Sequence, residues 1–196
     1  MQEHTRGTLA LRYRHDADAW PWTYRAEQRF SLQQGALDIA LSLTNLSDTP
    51  MPAGLGLHPY FPATRHSRIE AKVERMWETD DQVLPTELIQ PAKESDPNRG
   101  LESGGVELDN VFTGWSRAAR ILWPEWRRAL DIRAESPLDF LVFYTPAGEP
   151  YFCVEPVSNA TDAFNLAKSG RSDTGMIELA SGETVTARVS FVPMVQ

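Results

Sequence analysis

Two titratable side chains stand directly before prolines at the ends of apolar runs, and together they could move protons near neutral pH. One is His58, in Gly54-Leu55-Gly56-Leu57-His58-Pro59-Tyr60-Phe61-Pro62; the other is Glu155, in Tyr151-Phe152-Cys153-Val154-Glu155-Pro156. Proline biases the residue before it toward extended backbone, so each group is predicted at the end of a strand. The glycines ahead of His58 allow positive φ or a close approach to a ligand. An imidazole can donate a proton near neutrality and a carboxylate can accept one, which is the pair that general acid–base catalysis needs. Apolar neighbours would desolvate Glu155, raise its pKa and make it a better base. The plainer readings are a hydrogen-bonded structural histidine and a strand-end glutamate facing water.

A third candidate is Asp109, in Glu107-Leu108-Asp109-Asn110-Val111-Phe112-Thr113-Gly114-Trp115. A carboxylate beside an aromatic face can hold a sugar, the acid accepting from hydroxyls while the ring packs on C–H groups. An Asx-turn is the alternative. His66 reads as a loop residue, and His4 and His15 lie in polar N-terminal sequence. No histidine pair, His-x-x-x-His or Cys-x-x-Cys has metal-ligand spacing, so no metal site is expected. Gly-x-Ser-x-Gly and phosphate-cradling glycine loops are absent from the sequence as well. Cys153, the sole cysteine, reads as a small core filler.

The segments that must position these groups alternate with period two. Leu37, Ile39, Leu41 and Leu43 alternate with polar or small residues; Ile69, Ala71 and Val73 run on to Trp77; and Val185, Ala187, Val189 and Phe191 repeat the pattern. Leu9 to Tyr13 and Tyr24 to Leu32 give further versions. Such spacing buries one strand face and turns the other to water or ligand. Phe140-Leu141-Val142-Phe143-Tyr144 is apolar on both faces and is predicted as a buried central strand. Gln34-Gly35, Ser47-Asp48-Thr49-Pro50, Pro146-Ala147-Gly148-Glu149-Pro150 and Ser181-Gly182 punctuate the chain. Residues 90–105 read as a long surface loop, the best candidate for a mobile lid, although a plain solvated connection is the favoured reading. The expectation is an all-β, mostly antiparallel β-sandwich forming one domain over residues 1–196. Trp20, Trp22, Trp77, Trp123 and Trp126 are expected in the core, with Trp20-Pro21-Trp22 at a sheet edge.

Composition narrows the function classes. The 196 residues are 41% hydrophobic and 23% charged, ordinary for a globular domain with a sizeable core. A net charge of −8 without a basic block argues against a nucleic-acid partner. No apolar run reaches membrane-spanning length and no secretory signal layout opens the chain, so a cytoplasmic protein is expected.

In combination these residues resemble the aldose 1-epimerase (galactose mutarotase) family. The resemblance is carried by Thr44-Asn45-Leu46-Ser47-Asp48-Thr49-Pro50-Met51-Pro52 leading into GLGLHPYFP, by Glu107 to Phe112, by FCVEPVSNATDAFN from Phe152 to Asn165, and by Gly175 to Phe191. It covers the chain from about Trp20 to Phe191. It implies the family's β-supersandwich and cofactor-free, metal-free interconversion of α and β anomers of an aldohexose such as galactose or glucose. His58 matches the acid that protonates the ring oxygen, Glu155 the base that takes the anomeric hydroxyl proton, and Asp109 an acid that hydrogen-bonds sugar hydroxyls. Acid and base are expected to face each other across the ring. Family members extend further at the N-terminus, where more strands, a sugar-contacting arginine and a second histidine lie. No residue here takes those roles, and an N-terminally shortened sandwich would expose a sheet edge through which chains could self-associate. The competing readings are a hexose-6-phosphate 1-epimerase, which would need extra positive charge, and a non-catalytic carbohydrate-binding or regulatory domain of the same fold.

Overall fold

The computed structural model describes residues 3–5 and 7–196. Among the described residues seventeen strands form two main antiparallel sheets and a small ribbon. The larger sheet has nine strands. From one edge it begins with β1 (Glu3–Thr5), β2 (Thr8–His15), β3 (Tyr24–Gln33) and β4 (Ala36–Asn45). It continues with β17 (Thr184–Val195), β13 (Arg128–Ala134), β12 (Ala118–Trp123), β7 (Arg68–Ala71) and β10 (Leu101–Glu102). The six-stranded sheet runs β6 (Tyr60–Pro62), β15 (Tyr151–Val157), β14 (Phe140–Tyr144), β11 (Asp109–Thr113), β8 (Arg75–Thr79) and β9 (Pro85–Ile89). A ribbon of β5 (Met51–Ala53) and β16 (Ile177–Leu179) and one short helix, α1 (Ala163–Lys168), complete the fold. The predicted antiparallel sandwich is what forms.

Side-chain alternation explains the layering. On β4, Leu37, Ile39 and Leu41 pack toward the main core, while Ser42 and Thr44 on the opposite face pair with the hydroxyls of Thr186 and Thr184 on β17, each at 2.8 Å. The β3–β4 hairpin turns through Gln34 and Gly35, both at positive φ, the backbone a two-residue hairpin loop requires. Between the sheets lie Ile69, Ile121 and Ile132 from one side and Phe112, Leu141, Phe143, Phe152 and Val154 from the other, all buried. The six-stranded sheet is apolar on its far face too, where Trp77, Val111, Phe140 and Ala160 form a second small core with Val142, Val157 and Leu166. The guanidinium of Arg171 lies 4.5 Å over the Trp77 ring and caps it. As its composition predicts, β14 is an interior strand; Phe140, Leu141 and Phe143 are buried, while Val142 and Tyr144 on the cleft face are half-buried.

Three expectations change. The run from Ile69 to Trp77 is two strands, β7 and β8, in different sheets; Ile69, Ala71 and Val73 point into the core before the chain crosses over. Residues 90–105 are not a free lid. Their 3₁₀ turns at Lys93–Ser95 and Pro97–Arg99 bury Ser95 and Pro97, and Asn98 imitates a strand partner, accepting from Val73 N and donating to Val73 O at 3.3 and 3.0 Å. Finally, Trp126 is 49% exposed, whereas Trp77 and Trp123 are buried; Trp20 and Trp22 pack half-buried against Met51, Ala53 and Leu179.

Candidate active site

Glu155 is fixed by β15. It does not end that strand but lies within it, opposite Val142 of β14, and Pro156 is tolerated because β6 pairs only as far as Cys153. Beyond that point the loose segment 54–59 takes over as neighbour: Leu57 N donates to Pro156 O at 3.0 Å, and Gly56 bridges Val157. A proline N without hydrogen is costly only where a ladder partner waits for it. His58 therefore stands just ahead of β6 rather than in a strand, next to the edge of β15.

This register brings the imidazole onto the carboxylate. His58 Nε2 lies 3.3 Å from Glu155 Oε1, with the histidine side chain 52% exposed and the glutamate 9% exposed. The His58 ring is stacked on Tyr60 at 4.9 Å and 15°, and meets the edge of Tyr144 at 6.4 Å. Burial, and then the charge of Asp109, push the Glu155 pKa up to about 7. Asp109, at the start of β11, lines the same cleft; burial raises its pKa and His58 opposes that rise. It is held in place by Leu108 N donating to Thr145 Oγ1 at 2.9 Å and by Asn110 Nδ2 donating to Trp77 O at 3.0 Å.

The cleft has a volume of about 480 Å³ and adds Asn159, Ala160, Thr161 and Phe164 to those three groups, a size usual for a small-molecule site. No lysine or arginine lines it among the described residues. The sequence reading missed the wall from Asn159 to Phe164, which offers an amide, a hydroxyl and an aromatic face. Trp115, read as the aromatic partner of Asp109, is instead buried in the main core and donates Nε1–H to Ala118 O. His15 stacks on Tyr24, and the His66 N–H is bound by Glu125; neither lines the cleft. The His4 side chain lies outside the described residues.

Two glycines shape this wall. Gly54 is not at positive φ; a Cβ there would lie 2.1 Å from Asn159 Oδ1, so close approach is what it supplies. Leu55 N and O are tied to Ser158 Oγ and N, each at 2.8 Å, pinning the His58 segment to the end of β15. Gly175 has φ +73°, and a Cβ there would meet Ser158 O and Phe140 Cε2, both at 2.3 Å. Gly175→Ala is expected to destabilise the fold by about 2 kcal/mol through backbone strain and overlap with an immovable carbonyl. A shift of the urea midpoint at unchanged m-value would register it; an unchanged midpoint would contradict the packing described.

Cys153 shares the Glu155 face of β15, two residues away. Among the described residues, a His58 nitrogen, the Cys153 sulfur and a Glu155 oxygen all lie within 4.8 Å of one another. Burial first, then the charges of Glu155 and Asp109, push the Cys153 pKa up to about 12. Motif spacing did not foresee this potential ligand set.

The family model described as aldose 1-epimerase matches residues 2–192. The chain is 32% identical over 196 residues to the uncharacterized protein YphB of Escherichia coli (strain K12), covering 96% of this chain and 66% of that protein. A candidate aldose 1-epimerase from Escherichia coli K12 superimposes with TM-score 0.88 at 29% identity, over 99% of this chain and 67% of that one. A galactose mutarotase-like protein from Clostridium acetobutylicum gives TM-score 0.87 at 18% identity, over 100% and 65%. At that lower identity the likeness speaks for the fold alone. The chain thus spans about two thirds of the length of these relatives.

Proposed function

Because the chain belongs to the aldose 1-epimerase family, we propose that it interconverts the α and β anomers of an aldohexose such as galactose or glucose, with His58 as acid and Glu155 as base. The observation that carries this reading is the 3.3 Å contact between His58 Nε2 and Glu155 Oε1 on the floor of a polar cleft. Anomerisation requires removal of the proton on the anomeric hydroxyl oxygen as the ring oxygen gains one. Both oxygens are bonded to the same carbon, so the acid and base belong side by side, which replaces the expectation that they face each other across the ring. Glu155 takes the hydroxyl proton, the bond from C1 to the ring oxygen breaks, and His58 protonates the departing oxygen. The open aldehyde rotates about C1–C2 and the steps reverse on its other face, returning both groups to their starting protonation. Asp109 accepts from sugar hydroxyls, and Phe164 offers a face to the C–H groups.

The carboxylates and the lack of a lysine or arginine among the described lining residues favour a free sugar over a hexose 6-phosphate. The span of two thirds relative to relatives keeps a sugar-binding domain without turnover as the second reading. Polarimetry separates them. Freshly dissolved α-glucose or α-galactose should lose its initial rotation faster with protein than in buffer, whereas sugar binding by calorimetry at the buffer rate would favour the second. Glu155 must be ionised to act, and its pKa is about 7. Measured in chelator, kcat/KM is therefore expected to fall about tenfold per unit as pH drops below 7; a flat acid limb from pH 5 to 7 would remove Glu155 as the base.

The same reading includes a cytoplasmic setting and self-association along an open sheet edge. No helix among the described residues is long and apolar enough to cross a membrane. The outer strands β1 and β10 are three and two residues long, and short edges limit such pairing.

A further inference from the structure

We propose that His58, Cys153 and Glu155 also form a binding site for a thiophilic divalent cation such as Zn²⁺, and that its occupation shuts the proposed mutarotation off. The inhibitory half of this inference rests on the acid–base reading; the binding half does not.

The geometry is the starting point. Bonds of about 2.0–2.3 Å from tetrahedral zinc to nitrogen, oxygen and sulfur place the ligand atoms roughly 3.3–3.7 Å apart. Here the nitrogen and oxygen are already at 3.3 Å, and all three ligand atoms lie within 4.8 Å of one another. Rotations of side chains, without movement of the backbone, would close the remaining gap. Cys153 and Glu155 sit two apart on one face of a central strand, so their spacing is fixed by the pleat. The third ligand comes from the segment pinned to that strand by Leu57 N and Pro156 O.

The chemistry selects the ion. One imidazole, one thiolate and one carboxylate suit zinc and its neighbours, whereas magnesium and calcium prefer oxygen throughout. A neutral imidazole, a thiolate and a carboxylate balance the charge of a divalent cation; the thiol proton leaves to solvent as the S–Zn bond forms. The second carboxylate, Asp109, lines the same cleft, and no lysine or arginine competes there among the described residues. A fourth ligand, water or an Asp109 oxygen, would complete a tetrahedral set. With the metal in place the imidazole lone pair is engaged and the metal's charge lowers the basicity of the bound carboxylate, so the pair no longer passes protons to and from the sugar.

The test uses Zn²⁺ and Co²⁺ salts with the full chain, its Cys153→Ser variant and its Cys153→Ala variant, each first stripped with chelator and checked for native near-ultraviolet dichroism. Calorimetry should show one Zn²⁺ per chain. Co²⁺ should give a thiolate-to-metal absorption band in the parent and none in either variant. Groups that only orient a metal ligand are worth about 10–100-fold in affinity, so loss of the sulfur itself should weaken Zn²⁺ binding by at least about 100-fold. Mutarotation by the parent should slow at least about tenfold with saturating Zn²⁺, recover with chelator, and ignore Mg²⁺. Absence of the cobalt band, or Zn²⁺ affinity equal in parent and variants, overturns the site. Full metal binding without slowing of an active parent overturns the inhibition. If the parent shows the cobalt band but no turnover at all, the metal site stands, the acid–base reading fails, and the inhibition falls with it.

Discussion

Glu155→Gln should reduce the enzyme-dependent rate of anomer interconversion by about 10²–10⁴-fold, the usual worth of one positioned acid or base. Glutamine keeps the shape of the carboxyl group and its place on β15 but cannot accept the hydroxyl proton. His58→Asn should show a loss of the same order, since asparagine keeps a polar group ahead of Pro59 but cannot protonate the ring oxygen. Because the two side chains touch at 3.3 Å and serve one concerted transfer, their losses should not add; the double variant should be little worse than either single one. The readout is the decay of optical rotation above the buffer background. Parent-like rates in both single variants would end the acid–base assignment. A large loss in one and none in the other would leave a single group, with water as its partner.

The same Glu155→Gln substitution should make the protein more stable, and only on the alkaline side. The Glu155 carboxyl has a pKa of about 7 in the folded chain against an ordinary value of 4.5. Below 4.5 it is protonated in both states and contributes nothing to the pH dependence. Between 4.5 and 7 the unfolded chain gives up its proton while the folded chain keeps it, so stability falls as pH rises. Above 7 the full penalty of a buried charge is present, about 3 kcal/mol for a gap of this size. The glutamine amide carries no charge to desolvate. At about pH 8.5 in chelator the variant's Tm should lie on the order of 5–10 °C above that of the parent, and at about pH 4.5 the two should melt together. A variant less stable than the parent on the alkaline side would mean that the His58 contact outweighs the burial. Loss of catalysis paired with gain of stability is a signature that a residue serving the fold would not give.

The sandwich was legible because period two is hard to mistake: Leu37, Ile39 and Leu41 announce an inner face and Ser42 and Thr44 an outer one. It failed between Ile69 and Trp77, where Arg75 and Met76 break the alternation at the crossover between sheets, a break that Trp77 masks by returning to the register of Ile69, Ala71 and Val73. His58 and Glu155 stood out through their prolines and aromatic neighbours, although neither proline marks a strand end. Asn159, Thr161 and Phe164 lay inside a motif that carries the family resemblance, but no residue type or spacing singled them out as lining the cleft. Their placement depends on left-handed backbone at Asp162 and Gly175, and nothing local identifies what that turn will face. Cys153 was misleading for another reason. Phe152, Cys153, Val154 and Glu155 are all buried on β15, so the alternation of Phe152 and Val154 with Cys153 and Glu155 could not reveal which side holds the cleft.

The position of β17 bears on how the polypeptide reaches this form. Residues 184–195 pair with β4 on one flank and β13 on the other, joining the early hairpins to the strands around the core. During vectorial synthesis everything they bridge emerges from the ribosome first and waits, with the facing backbone edges of β4 and β13 unpaired. Closure is then a late, long-range event, the kind that makes assembly slow and leaves nascent chains in need of chaperone shelter.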